Sequence, residues 1–186
     1  MKSKILLTII LIFNIGCSYN YYNYTNDKQK DFKWYKIQIE NVDLKLTNND
    51  FNSYGHPDYP NEKDLHEIFK NNIIDKLKSM ALYAESGQSE KVLIADLKIE
   101  YKRTFSIIHN SYVGSYINYM ITLRDKDEIV ATRNLLNTNY FASRGLIGNF
   151  VKIAKTIIGK YNQQDELAEI KIFTDGISDD FVHLGK

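Results

Sequence analysis

Lys91-Val92-Leu93-Ile94-Ala95-Asp96-Leu97-Lys98-Ile99-Glu100-Tyr101-Lys102 alternates with a period of two. In an extended chain Leu93, Ala95, Leu97, Ile99 and Tyr101 fall on one side, and Asp96, Lys98, Glu100 and Lys102 on the other. One face is apolar and one is charged, the pattern of a sheet covered by helices on one side only. The reading predicts a strand over residues 91–105.

Downstream, residues 106–114 read as a loop. A second strand is expected over 115–124, with Ile117, Tyr119, Ile121 and Leu123 on one face. The polar turn Asp125-Lys126-Asp127-Glu128 then leads into a returning strand over 129–140. The two make a hairpin and, with 91–105, a β-meander. Upstream, Tyr35, Ile37 and Ile39 alternate with Lys36, Gln38 and Glu40, which predicts a first strand over 34–42. Leu44 and Leu46 would continue it or form an edge.

Between these strands, residues 48–61 hold Asn48, Asn49, Asp50, Gly55, Pro57, Asp58 and Pro60 and read as a loop. Asn61 is placed to cap a helix, with Asp64 completing a short capping box. Leu65, Ile68, Phe69, Ile73, Leu77 and Met80 recur every three or four residues as its apolar stripe. A turn follows over 84–90. After the meander, 142–149 joins the sheet to a helix carrying Phe150, Ile153, Ala154, Ile157 and Ile158, which Gly159 and Asn162 would end. Leu167, Ile170, Phe173, Ile177 and Phe181 fit a last helix, weakened at Gly176. The order β-α-β-β-β-α-α predicts an α/β (α+β) two-layer sandwich, with a mixed four-stranded sheet and helices on one face. Its strand–helix–strand start would cross over between parallel neighbours.

The N-terminus speaks to location. Lys2 and Lys4 precede the apolar run of residues 5–13, far short of the roughly 20 residues a membrane-spanning helix needs. Cys17, the single cysteine, follows Gly16. Asn14-Ile15-Gly16-Cys17-Ser18 resembles the lipobox of bacterial lipoproteins, although Asn14 stands where that family carries Leu, Val or Ile. The resemblance implies cleavage before Cys17, which would then bear a diacylglycerol thioether and an N-acyl chain such as palmitate. Acyl chains anchor by about 0.8 kcal/mol per buried methylene. The expected divisions are a signal peptide at 1–16, a lipidated tether at 17–30 and a single α/β domain at 31–186. The tether reads either as a composition-biased linker or as a segment whose Tyr19, Tyr21, Tyr22 and Tyr24 sit in the headgroup layer.

Two of the 24 basic side chains are Lys2 and Lys4, so without the leader the 23 acidic residues exceed the basic ones by one. That balance argues against nucleic acid as a partner and against a polybasic membrane surface. With no second thiol, the mature chain has no internal disulfide and no thiolate metal site. The mature chain also resembles small envelope lipoproteins of the YajG type and, more loosely, LptE and the anticodon-binding-like domain of curli-secretion lipoproteins. The residues that carry the likeness are Leu93-Ile94-Ala95-Asp96-Leu97-Lys98-Ile99, Tyr119-Met120-Ile121-Thr122-Leu123-Arg124-Asp125, Val130-Ala131-Thr132, and Arg144-Gly145 with Gly148-Asn149. The resemblance implies a non-catalytic protein, in some cases a subunit of an export or surface-assembly machine.

Reactive constellations are few. His56, His66, His109 and His183 show no i, i+4 pair, so they read as surface histidines with no metal and no cofactor. A Ser–His–Asp triad stays open, since its members are scattered in sequence, but no Gly-x-Ser-x-Gly elbow occurs, and Gly114-Ser115 and Ser143-Arg144-Gly145 only echo it. Arg144, Gly145, Gly148 and Asn149 before a helix could cradle an anion or act as a hinge; the plainer reading is a strand-to-helix joint capped by Asn149. Asp175, Asp179 and Asp180 read as a solvated helix face. Tyr101, Tyr112, Tyr116, Tyr119 and Tyr140 would either form a binding surface or finish the sheet core. The expectation is a lipid-anchored binding or assembly module of the bacterial cell envelope, held to the membrane by its lipid and contacting another envelope protein. Ser18 is not the aspartate that retains many lipoproteins at the inner membrane, so the outer membrane is expected. The alternatives are an anchored hydrolase whose site the sequence does not reveal, and a surface adhesin.

Overall fold

The alternating stretches assemble into one five-stranded sheet in the computed structural model, which describes residues 22–25, 32, 34–49, 59–85, 91–105, 112–138 and 162–184. In chain order the elements are β1 (Asn23–Tyr24), β2 (Lys36–Asn49), α1 (Glu62–Ser79), β3 (Val92–Phe105), β4 (Tyr112–Asp125), β5 (Glu128–Thr138) and α2 (Gln163–Asp180). A 3₁₀ turn, Phe181–His183, follows α2. Across the sheet the order is β1-β5-β4-β3-β2. The pair β2–β3 is parallel, as a helical crossover requires, and the other pairs are antiparallel.

The mixed two-layer architecture matches expectation; the strand count does not. The fifth strand comes from the segment expected as tether. Asn23 pairs with Thr132 and Tyr24 with Ala131, and Thr25 N–H donates to the Val130 carbonyl at 3.2 Å. Tyr22 is only 1 % exposed. Rings of Tyr22, Tyr24, Phe32 and Tyr35 run in sequence over this part of the core, with centroids 6.4, 6.1 and 5.3 Å apart. A two-residue strand is too short to show a period, so burial of aromatic rings, not patterning, holds it.

The core lies between the helices and one sheet face. Leu65, Phe69, Ile73 and Leu77 of α1 and Ile170, Phe173 and Ile177 of α2 meet the inward side chains Leu93, Ala95, Leu97, Ile99, Ile117, Ile121 and Leu123. Each such fully buried aliphatic or phenyl side chain contributes roughly 1.5–3 kcal/mol relative to exposure. Asn61 caps α1 as expected, accepting from Asp64 N–H while the Asp64 carboxylate accepts from Asn61 N–H.

Two boundaries move for physical reasons. β2 runs on to Asn49 because a bulge at Glu40 shifts the inward positions from Ile37 and Ile39 to Val42 and Leu44. The bulge lets Glu40 reach Arg124, which also pairs with Asp96 at 2.9 Å, so one ion network crosses three strands on the outer face. β4 begins at Tyr112, inside the expected loop, and Gly114 takes φ 155° beside the register shift at Thr104/Phe105. Asn162 borders a segment outside the described residues, where the helix it is expected to end would lie. It caps α2, with the same reciprocal box to Asp165. Gly176 does not interrupt α2, which continues to Asp180.

Candidate functional site

The inward face of the sheet changes character along β3. After Ile99 come Tyr101 and Arg103 on the same side, and α2 lays Glu166 and Glu169 over them. Tyr101 donates to Glu166 Oε1 at 3.0 Å and Arg103 Nε donates to the same oxygen at 2.7 Å. Arg103 Nη2 also donates to the Pro60 carbonyl at 2.8 Å. One turn further along the helix, Tyr112 and Ser115 donate to Glu169 Oε2 at 2.6 and 2.9 Å. At the far end of α2, Tyr119 and Arg133 donate to Asp180 Oδ2 at 2.7 and 2.8 Å. Three carboxylates of one helix thus fasten to three tyrosines and two arginines of the sheet.

Burial governs the protonation of this layer. It pushes the Tyr101, Tyr112 and Tyr119 hydroxyls well above their ordinary value, and nearby carboxylates add to the effect, so all three stay as donors. Burial also raises the Glu166 carboxyl, against the opposing pull of Arg103. Glu166 is 0 % exposed and its Oε2 has no hydrogen-bond partner among the described residues. Placing a carboxylate in the first turn of α2 is favoured by the helix dipole. These groups are closed off between the layers, and their geometry is that of a clamp.

The opposite face is open. Lys98, Glu100 and Lys102 of β3 lie beside Tyr116, Asn118 and Met120 of β4, and Leu136 of β5 continues the row. A groove of about 290 Å³ is lined by Thr47, Glu100, Lys102, Tyr116 and Asn118. Asn118 Nδ2 donates to Glu100 Oε2 at 3.2 Å along its floor. A second hollow of about 220 Å³ lies toward β5, between Lys98, Asn118, Met120, Asn134 and Leu136. The first groove combines one carboxylate, one ammonium, an amide and an aromatic ring. It suits a protein segment presenting both polar and apolar groups.

The residues singled out in the sequence scatter. Cys17, Arg144, Gly145, Gly148, Asn149, Tyr140, His56 and His109 lie outside the described residues, as does the helix expected around 150–158. His66 contacts Glu67 on α1, while His183 lies in the 3₁₀ turn after α2. Tyr101, Tyr112 and Tyr119 belong to the core, and Tyr116 faces out. Of the three aspartates read as a solvated face, Asp180 is buried in the clamp; Asp175 pairs with Lys171 at 3.6 Å and Asp179 with Lys76 at 3.9 Å. Tyr22, expected in a tether, is a core residue. Arg103, Glu166 and Glu169 were legible only as charges at inward positions. Arg103 keeps the parity of Ile99, and the two glutamates lie on the same stripe as Ile170 and Phe173.

No described helix is long and apolar enough to cross a membrane. Among the described residues no group of three or more His, Cys, Asp or Glu side chains is placed to hold a metal ion. No family model, no curated protein and no solved structure matches this chain.

Proposed function

We propose that the protein is a lipid-anchored, non-catalytic binding or assembly module of the bacterial envelope, tethered at Cys17. It presents the groove between Thr47 and Tyr116 to another envelope protein. The observation that carries the reading is the division of the sheet. Tyr101, Tyr112, Tyr119 and Glu166, whose protonation equilibria burial raises, are locked between the sheet and α2, whereas its open face offers a wet, mixed-polarity groove. The acyl anchor follows from the lone cysteine after a short apolar leader.

Two measurements test it. Metabolic labelling with a fatty-acid analogue marks the wild type and not Cys17→Ser; labelling that is equal in both, or missing from both, sinks the anchor. A photo-crosslinking residue at Tyr116 gives one reproducible protein adduct in intact envelopes, and the same residue at Lys63 on α1 does not. Indistinguishable adduct patterns at the two positions sink the docking face.

A further inference from the structure

The burial of Tyr22 shortens the leash. Only five Cα steps separate Cys17 from Tyr22, a reach of at most about 18 Å. Tyr22 precedes β1, at the edge of the sheet formed by β1 and β5. The opposite edge, β2, lies four strand spacings away, about 19 Å further. A lipid on Cys17 therefore holds the β1–β5 edge near the bilayer and lets β2 and the groove at Thr47 stand clear of it.

The surface at that edge is built for such contact. Leu136 projects from β5 on the open side of the sheet and is 67 % exposed. Val182, 42 % exposed, lies on the helical side, two residues beyond the Asp180 that Arg133 of β5 holds at 2.8 Å. Leu136 lies on β5 of that edge, and Val182 lies in the 3₁₀ turn that follows α2. From the length of the leash and the position of these residues we infer that the domain docks on the membrane through the β1–β5 edge, with Leu136 and Val182 entering the headgroup–acyl boundary. The occupant is the lipid surface itself, recognised by apolar burial and not by basic charge. This inference rests on lipidation at Cys17.

The test uses the full lipidated protein in phosphatidylcholine vesicles that contain brominated acyl chains. Trp34, the single tryptophan, is first changed to Phe, and one tryptophan is then placed by Leu136→Trp, Val182→Trp or Thr47→Trp. Tryptophans at 136 and 182 are quenched at least about threefold more than the one at 47, as expected for side chains at the headgroup–acyl boundary. Equal quenching at all three positions, in protein that floats with the vesicles, overturns the orientation and leaves the anchor standing. Protein that does not float with the vesicles overturns both. Near-ultraviolet circular dichroism matching the wild type verifies that each variant is folded.

Discussion

At the scale of single residues, the protein hangs on an asymmetry of charge. Arg103 is the guanidinium that neutralises Glu166, and both are closed off from water. Removing one partner of a buried pair leaves the other charge uncompensated, which costs about 3–5 kcal/mol, whereas replacing both with apolar groups is often close to neutral. Arg103→Met is therefore expected to lose stability in that range by urea unfolding, and Arg103→Met with Glu166→Leu to recover most of it. A single-variant loss below about 1 kcal/mol would mean that the pair is not desolvated as its geometry implies.

Glu166 also sets a pH dependence of definite sign. Burial holds its folded carboxyl above the ordinary value of 4.5, so the folded state binds the proton more tightly than the unfolded chain. Stability contributed at this site rises as pH falls from neutrality through the folded value towards 4.5, and levels off below it. The difference in unfolding free energy between wild type and Glu166→Gln should accordingly grow in favour of the wild type between pH 7 and pH 5. A constant or shrinking difference would show that Arg103, not burial, dominates.

At the scale of elements, both described helices begin in the same way and α2 carries a reserve of stability. Asn61 and Asn162 each satisfy backbone donors through a reciprocal box, and losing such a cap costs about 1 kcal/mol. Asn162→Ala is expected to lower the unfolding free energy by that amount, and no change would return Asn162 to a loop. Gly176 sits inside α2, and among the described residues no atom outside the helix's own nearby backbone lies within 4 Å of where a Cβ would stand. Gly176→Ala should raise stability by about 0.5–1 kcal/mol, since alanine loses less backbone freedom on helix formation. A loss there would mean a neighbour fills that space.

The elements also show where sequence reading succeeds and fails. β3 and the part of β4 from Ser115 onward are legible because each has one wet and one buried face, and the parity does not slip in their centres. For β2 the sequence reading stops at Val42, short of the observed end at Asn49. The bulge at Glu40 moves the buried positions from odd to even numbers, so a single period cannot describe the strand. Asn162 shows two compatible roles in the sequence, because asparagine favours both the end of one helix and the start of the next. The hydrogen bonds it accepts from Gln164 and Asp165 N–H establish its role at the start of α2.

At the scale of the whole molecule, β1 changes what the N-terminal segment is for. Tyr22 is core and Tyr24 pairs with Ala131 of β5, so under the proposed lipid anchor these residues would hold the domain close to the membrane. Tyr22→Ala removes a buried ring and is expected to cost about 3–5 kcal/mol. A loss within about 0.5 kcal/mol, the range of ordinary surface positions, would restore a tether reaching to residue 30. Under the proposed anchor, sheet order, short leash and open groove form one layout, with one edge toward lipid and the far half of the open face toward a partner.

The sequence alone determined the strand–helix–strand–strand–strand order, the layer that helices cover, the capped start of α1 and the single thiol after an apolar leader. These are local properties: a period, a cap or a composition is complete within a few neighbouring residues. Tertiary structure alone decided that Tyr22 is core, that β1 pairs with β5, that Glu40 bulges to reach Arg124, and that Glu166, Glu169 and Asp180 clamp α2 to the sheet. Each joins residues distant in sequence, and a charge at an inward position reveals its purpose only when its partner stands opposite.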